Sequence, residues 1–393
     1  MKISVTLTRI ITGILFIFSG LVKANDPLGL SYKMQEFFEV WGVHGFNSWT
    51  LLMSVLMNAF EIIAGFALLL GWRIKLFSWL LLALIVFFTF LTGYTYVTGT
   101  PKNCGCFGDC LPITSKVSFL KDVALTVLIL FLVWKQKHIR PLFSEKVTTI
   151  AMLGITILSF LFQWYTLTYL PVIDCLPFKK GNSISEKMKM PANAVPDSTV
   201  ITFIYKKGGK EIEFTADKFP ADFSASTYEF VKRYDKVIRK GKNNEPPIKG
   251  FALSGDSNID STQFVLAQPS AVLLFIEKFA EAGTGWKNKF SDIYAAAKTK
   301  NIPSYIITAE PGKAAAVVNG TAFADVQVFK CDFKAIETAA RSNPCIYYLQ
   351  KGIVMNKYSG KTMHRIKTDI EKAPIMESIP VVPSVQATDS LNQ

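Results

Sequence analysis

Histidine is almost absent from this chain, three residues in 393, and none of His44, His138 and His364 adjoins a cysteine. A metal centre built on a mixed Cys/His ligand set is therefore the weakest account of its thiols. Nor is there a glycine-rich phosphate cradle, a His-Glu-x-x-His helix or a serine nucleophile elbow, and the enzyme classes those signatures mark find no support. Charge is sparse in the first 170 residues, 13 Lys/Arg and 7 Asp/Glu, against 30 and 23 in the remainder. What is abundant is apolar: half of the residues are hydrophobic, with a net charge of +13. Lys and Arg lying beside anionic lipid account for that excess, and no nucleic acid is needed as a partner.

A bilayer span takes roughly 20 predominantly apolar residues. Five stretches qualify, near 4–22, 50–70, 74–98, 116–135 and 147–170. The first lacks a small-x-small cleavage pattern around Val22-Lys23-Ala24 and is read as a retained helix. Basic residues mark the loops that stay inside. Trp72-Arg73-Ile74-Lys75 joins the second and third spans, and Lys135 to Arg140 with Lys146 joins the fourth and fifth. The N-terminus is then expected in the cytoplasm of a cell (inner) membrane protein. The 23–49 loop, the loop between spans three and four and everything after span five are expected outside. The 23–49 loop carries Leu28, Leu30, Met34, Phe37, Phe38 and Trp41 at spacings that suit a short helix lying over the bundle.

Half of the six cysteines fall in Asn103-Cys104-Gly105-Cys106-Phe107-Gly108-Asp109-Cys110, between two apolar runs. A fourth, Cys175, follows the fifth span on the same side. Thiols facing an oxidising compartment pair, and four cysteines allow three full pairings among which the sequence does not choose. Cys104, Cys106 and Cys110 are candidate redox thiols and Cys175 a candidate partner, because a small Cys-x-Cys ring exchanges readily. A structural staple explains the same residues equally well, and the choice stays open. Inside the bilayer, Arg9 of span one and Glu61 of span two lie at similar depths, so an ion pair between them is expected.

Arg9-Ile-Ile-Thr-Gly13, Phe18-Ser-Gly20-Leu-Val-Lys23, Glu61-Ile-Ile-Ala-Gly65 and Leu70-Gly71-Trp72 together resemble the DoxX-like membrane proteins. The loop Cys104-Gly-Cys106-Phe-Gly108 ahead of span four is similar to the MauE branch of that superfamily. Over about residues 3–135 the resemblance implies a four-helix membrane bundle associated with redox work, in the MauE case with maturation of a disulfide-rich exported enzyme. A fifth span and a large further region depart from it, so MauE's own partner and substrate do not carry over.

The expected organisation is a bundle over 1–145, a fifth helix over 146–170, a linker over 171–198, a hairpin–helix module over 199–247, an α/β domain over 248–372 and a disordered tail over 373–393. Within the module, Lys206-Lys-Gly-Gly-Lys210 is the hairpin turn, and Tyr228, Val231, Tyr234 and Ile238 have helical spacing. The α/β domain reads strand, helix, strand, short strand, helix, strand, turn, strand, with Asn343-Pro344 opening the penultimate strand. That order resembles the thioredoxin fold, in which Pro344 would be the cis-proline of the partner groove and Cys345 its neighbour. Where that fold carries its reactive Cys-x-x-Cys, this chain reads Glu277-Lys-Phe-Ala-Glu-Ala-Gly-Thr-Gly-Trp286. Cys331 and Cys345 are read as buried packing residues.

Two functions follow as expectations. One is disulfide or electron transfer, as a membrane thiol–disulfide or quinone-linked oxidoreductase component: the loop thiols pass electrons between a carrier in the bundle, a quinone being the candidate cofactor, and an exported redox partner. The other is a membrane-anchored scaffold whose degenerate thioredoxin-like domain holds an exported client.

Overall fold

The computed structural model describes residues 2–101, 108–111, 113–239, 241, 243–255 and 259–378. Cys104 and Cys106 lie outside the described residues, as does the tail from 379. Among the described residues, five helices are long and apolar enough to cross a membrane. They are α1 (Lys2–Asn25), α3 (Thr50–Leu70), α4 (Ile74–Thr98), α5 (Ser115–Lys135) and α6 (Glu145–Tyr169), with a shorter α2 (Pro27–Val40) between the first two. Large apolar side chains such as Ile3, Leu7, Trp79, Val127 and Leu158 point outward, as a surface facing lipid requires. Phe16, Leu68, Leu81, Ile85, Ile129 and Met152 fill the interior.

Helices α1 and α3 cross closely because glycine lets them. A Cβ on Gly65 would lie 2.8 Å from the Gly13 carbonyl, and one on Gly20 would lie 2.7 Å from an Ile62 side-chain carbon. Small residues at a membrane helix crossing allow backbones to approach and gain dispersion contacts. The same crossing fixes which polar groups of the two helices meet. Helix α6 is held to α3 by Asn58, whose Nδ2 donates to Gln163 Oε1 at 3.2 Å. Helix α2 begins at an N-cap, Asp26, and is pinned to α3 where Ser31 Oγ donates to Thr50 Oγ1 at 2.9 Å and Ser54 Oγ donates to Pro27 O at 2.7 Å.

Residues 171–198 are not the free linker expected from their polarity and prolines. Leu176, Phe178 and Ile184 are buried, and Gly181 N and Ile184 N donate to Val354 O and Gly352 O at 2.8 and 2.9 Å. Three apolar residues spaced along a polar stretch were enough to dock it, with the one-turn helix α7 (Ile184–Lys187) inside. Next comes a three-stranded sheet, order β2-β1-β3, made of β1 (Ser198–Lys207), β2 (Lys210–Thr215) and β3 (Glu229–Arg239). Gly208 and Gly209, at φ 55° and 83°, close the first hairpin, the left-handed pair that a tight two-residue turn demands.

The helix expected from Tyr228, Val231, Tyr234 and Ile238 is therefore corrected to a strand. β3 pairs with β1 along its length, but register breaks at Ser198/Thr199 and Ile204/Tyr205 interrupt the pairing. Such bulges upset the two-residue alternation that would have betrayed the strand, and an unpaired β1 edge favours strand over helix for whatever follows.

The last region contains α8 (Thr262–Leu266), β4 (Ala271–Ile276), α9 (Trp286–Thr299), β5 (Ser304–Thr308), α10 (Pro311–Val318), β6 (Gln327–Lys330), α11 (Phe333–Ala339), β7 (Cys345–Gln350), β8 (Ile353–Ser359) and α12 (Ile366–Lys372). Its sheet has the order β6-β5-β4-β7-β8, with β4, β5 and β6 parallel and β7 and β8 antiparallel. Every residue of β4 is buried, as expected of a central strand covered on both faces. Leu273 and Phe275 pack on one side with Phe178 and Phe251, while Leu274 and Ile276 pack on the other with Trp286 and Phe290. The first residues of the expected disordered tail are also corrected. Ala373 is buried, and Met376 N donates to Lys300 O at 2.9 Å.

Candidate functional site at the loop-bearing end of the bundle

Of the four cysteines expected outside the membrane, the described Cys110 and Cys175 lie near the C-terminal end of α1. Cys110 and Cys175 form a disulfide with a Cα separation of 4.8 Å, joining the segment before α5 to the segment after α6. Both residues are half-buried. Two residues earlier, Ile173 is clamped by Asn25. Its N–H donates to Asn25 Oδ1 at 3.0 Å, and Asn25 Nδ2 donates back to Ile173 O at 2.8 Å. The disulfide, the last residues of α1 and the chain leaving α6 thus form one assembly.

One turn below, Lys23 and Glu61 form an ion pair, with side chains only 3% and 1% exposed. Lys23 Nζ also lies 4.7 Å from the centre of the Phe88 ring. The expected Arg9–Glu61 pair is corrected. Arg9 instead donates through Nη2 to Leu69 O at 2.7 Å and through Nη1 to Arg140 O at 3.1 Å. The reason lies in the glycine crossing. With Gly13 against Leu69 and Gly20 against Ile62, Arg9 falls at the C-terminal end of α3, where the helix-end carbonyl of Leu69 and the loop carbonyl of Arg140 accept its hydrogen bonds. Glu61 falls toward the opposite end, beside Lys23. From α5, Asp122 joins the same interior. It pairs with Lys121 at 2.9 Å and accepts from Thr92 Oγ1 at 3.0 Å.

The α/β region docks on this end through α2. Arg341 Nε donates to Asp26 Oδ2 at 2.8 Å, Tyr32 OH donates to Glu277 Oε2 at 3.2 Å, and Lys334 pairs with Glu39 at 2.8 Å. Asp174, next to Cys175, pairs with Lys357 of β8 at 2.5 Å. Burial, then the neighbouring Glu277 charge, raises the Glu337 carboxyl to about 7 against the pull of Arg341. Glu277 is raised too, chiefly by burial.

Pro344, joined to Asn343 by a cis peptide bond, lies next to this contact. The Asn343 side chain is committed to the segment after β4, accepting from Glu277 N at 3.1 Å and donating to Lys278 O at 2.7 Å. Cys345 and Cys331 are free and buried, and burial pushes their thiols up to about 11 and about 12. Neither is poised to attack a partner disulfide, since the thiolate is the nucleophile. Sequence reasoning passed over Lys23, Asn25, Asp26, Asp122 and Arg341. Lys23 and Asp122 were detectable as charges at the margins of apolar runs, whereas Asp26 and Arg341 are 315 residues apart and carried no such mark.

A family model described as methylamine utilisation protein MauE matches residues 1–135. The bundle's first four long helices are MauE-like. That match covers α1 to α5 and the segment with Cys110, and stops short of Cys175. A second, described as a domain of unknown function (DUF8463), matches residues 199–240, the β1–β3 sheet. No curated protein and no solved structure matches the chain. The chain is a multi-pass membrane protein with a helical bundle like that of MauE and a mixed α/β region after it.

Proposed function

We propose that the protein takes part in disulfide or electron transfer to exported proteins, with its cysteine-bearing end and its C-terminal region outside the membrane. The observation that carries this reading is the Cys110–Cys175 disulfide, with Cys104 and Cys106 only a few residues earlier in the chain. An oxidised pair fits an oxidising compartment, and the basic loops at the far end of the bundle fit the cytoplasm. In the reaction envisaged, two thiols of an exported partner become a disulfide as a disulfide of the loop becomes two thiols. Reoxidation of those thiols releases two electrons and two protons, which reduce a membrane quinone to quinol. The strand order of the α/β region supports a thioredoxin-like fold without its dithiol, serving to place the partner rather than to react with it.

Cells carrying Cys104→Ser and Cys106→Ser together are the test. The thiol-to-disulfide ratio of exported proteins is expected to rise, and an unchanged ratio would remove the reading. The scaffold alternative is favoured by the burial of Cys331 and Cys345. It requires the doubly substituted protein to keep full function in cells.

A further inference from the structure

Both edges of the five-stranded sheet are covered. Residues 181–184 lie along β8, where Gly181 N donates to Val354 O at 2.8 Å and Val354 N donates to Asn182 O at 2.9 Å, and Ser254 exchanges backbone hydrogen bonds of 3.0 and 2.8 Å with Lys330 of β6. The small sheet is different. Its order β2-β1-β3 leaves β3 at an edge over 11 residues, and among the described residues none of its backbone groups bonds outside the ladder with β1. An open strand edge is a row of donors and acceptors that invites another strand. The opposite edge, β2, is only 6 residues long and carries Lys210, Glu211 and Glu213, charges that discourage such pairing.

β3 also carries apolar side chains that its own sheet does not cover. Every described side chain along it is exposed, Phe230 at 55% and Ile238 at 65%, and Val231, Tyr234 and Val237 are exposed with them. Large apolar groups gathered on one short stretch of surface mark a place of contact. The strand stands at the disulfide-bearing end of the bundle, where Val237 lines one cleft with Thr95 and Tyr96 of α4 and Ser115 of α5.

The sequence of β3 singles out the occupant. In antiparallel register about Tyr234 the strand matches itself: Glu229 meets Arg239, Phe230 meets Ile238, Val231 meets Val237, Arg233 meets Asp235, and Tyr234 meets its own copy. Only the Lys232 and Lys236 positions set like charges together. The breaks in pairing with β1 leave residues 232–237 in a regular ladder, so the centre of the match is undistorted strand. Opposite charges and apolar groups directly facing each other are the pairs that stabilise a sheet, and a patch that complements itself is the mark of a two-fold dimer. We infer that β3 is the interface between two copies of this chain, joined edge to edge about Tyr234. An extended segment of some other protein could lie on the same edge, but it would not require β3 to complement itself. One strand pair is small beside the roughly 1,200 Å² of a standard interface; holding both copies in one bilayer raises their effective concentration. The pairing brings two disulfide-bearing ends together, and it stands whether or not their thiols exchange.

The test uses the full chain in lipid vesicles at low protein-to-lipid ratio, one population carrying a donor and another an acceptor fluorophore at the C-terminus. Energy transfer above that of random mixing, and competed by unlabelled chain, is expected. Arg233→Asp sets Asp against Asp across the pair and Asp235→Arg sets Arg against Arg, so each substituted chain alone should associate on the order of tenfold more weakly. Mixed together, the two variants restore opposite charges at both positions and should recover the transfer. In a background of Cys104→Ser and Cys106→Ser, Tyr234→Cys should cross-link to its own copy under mild oxidation, whereas Phe230→Cys and Ile238→Cys should cross-link to each other and not to themselves. Transfer no greater than random mixing, no recovery on mixing the charge variants, or a Tyr234→Cys chain that joins a different protein or none would overturn the inference.

Discussion

Arg341 Nε donates to Asp26 Oδ2 at 2.8 Å, an ion pair whose side chains are only 5% and 15% exposed. It ties the turn before β7 to the cap of α2, and Asp26 follows directly on Asn25, which clamps the chain beside Cys175. The domain that would receive a partner is thus anchored at the disulfide-bearing end of the bundle.

Removing one member of a buried pair strands the other, at a cost of about 3 kcal/mol. Arg341→Gln and Asp26→Asn should each loosen the α/β region from α2 by that order, and the double substitution should cost less than the sum. Unfolding in detergent, followed with limited proteolysis of the 171–198 segment, reads both effects. Strict additivity of the two would show that the contact does not hold the domain.

Lys23→Met should destabilise the bundle by on the order of 3 kcal/mol because Glu61 is left charged and buried. Adding Glu61→Gln should recover most of the loss. Arg9 and Glu61, by contrast, should show no coupling beyond about 0.5 kcal/mol in a double-substitution cycle, since Arg9 is spent on the backbone carbonyls of Leu69 and Arg140.

The Glu337 carboxyl is raised by burial from an ordinary 4.5 to about 7. Between those values the folded protein holds a proton that the unfolded chain has released. Stability is therefore full below about 4.5 and falls as pH rises through about 7, a loss of up to about 3 kcal/mol. Glu277, raised in the same direction, adds to it. Comparing unfolding midpoints at pH 5 and pH 8 tests this, and Glu337→Gln should flatten the difference.

Cys331 and Cys345 should resist iodoacetamide in the native protein at pH 8, because their thiols are raised to about 12 and about 11. Mass spectrometry should find both alkylated only after unfolding. Rapid native labelling of Cys345 would contradict its burial and make it a thiol able to form a mixed disulfide.

Five spans, the Gly-Gly hairpin turn and the strand order of the α/β region were legible in the sequence because each rests on a local period or a local turn residue. The β3 strand was not, since bulges in its pairing spoiled the alternation while Val231, Tyr234 and Ile238 mimicked a helix. Arg9 and Glu61 were recognisable as costly intramembrane charges, but their partners depend on the register of the α1–α3 crossing, which Gly13, Gly20 and Gly65 set in three dimensions. The docking of 171–198 and the Arg341–Asp26 pair depend on contacts far apart in sequence. The cysteines were conspicuous from the start, and the structure adds which two of them are joined.

The account turns on whether the thiols of the loop cycle. Acid trapping of cells followed by alkylation and mass spectrometry of Cys104, Cys106, Cys110 and Cys175 measures their state directly. The account predicts a mixture of reduced and oxidised Cys104 and Cys106 that shifts toward reduction when quinone is depleted. A loop that is fully bridged under both conditions, with no reduced fraction, would contradict it and leave the cysteines as a staple.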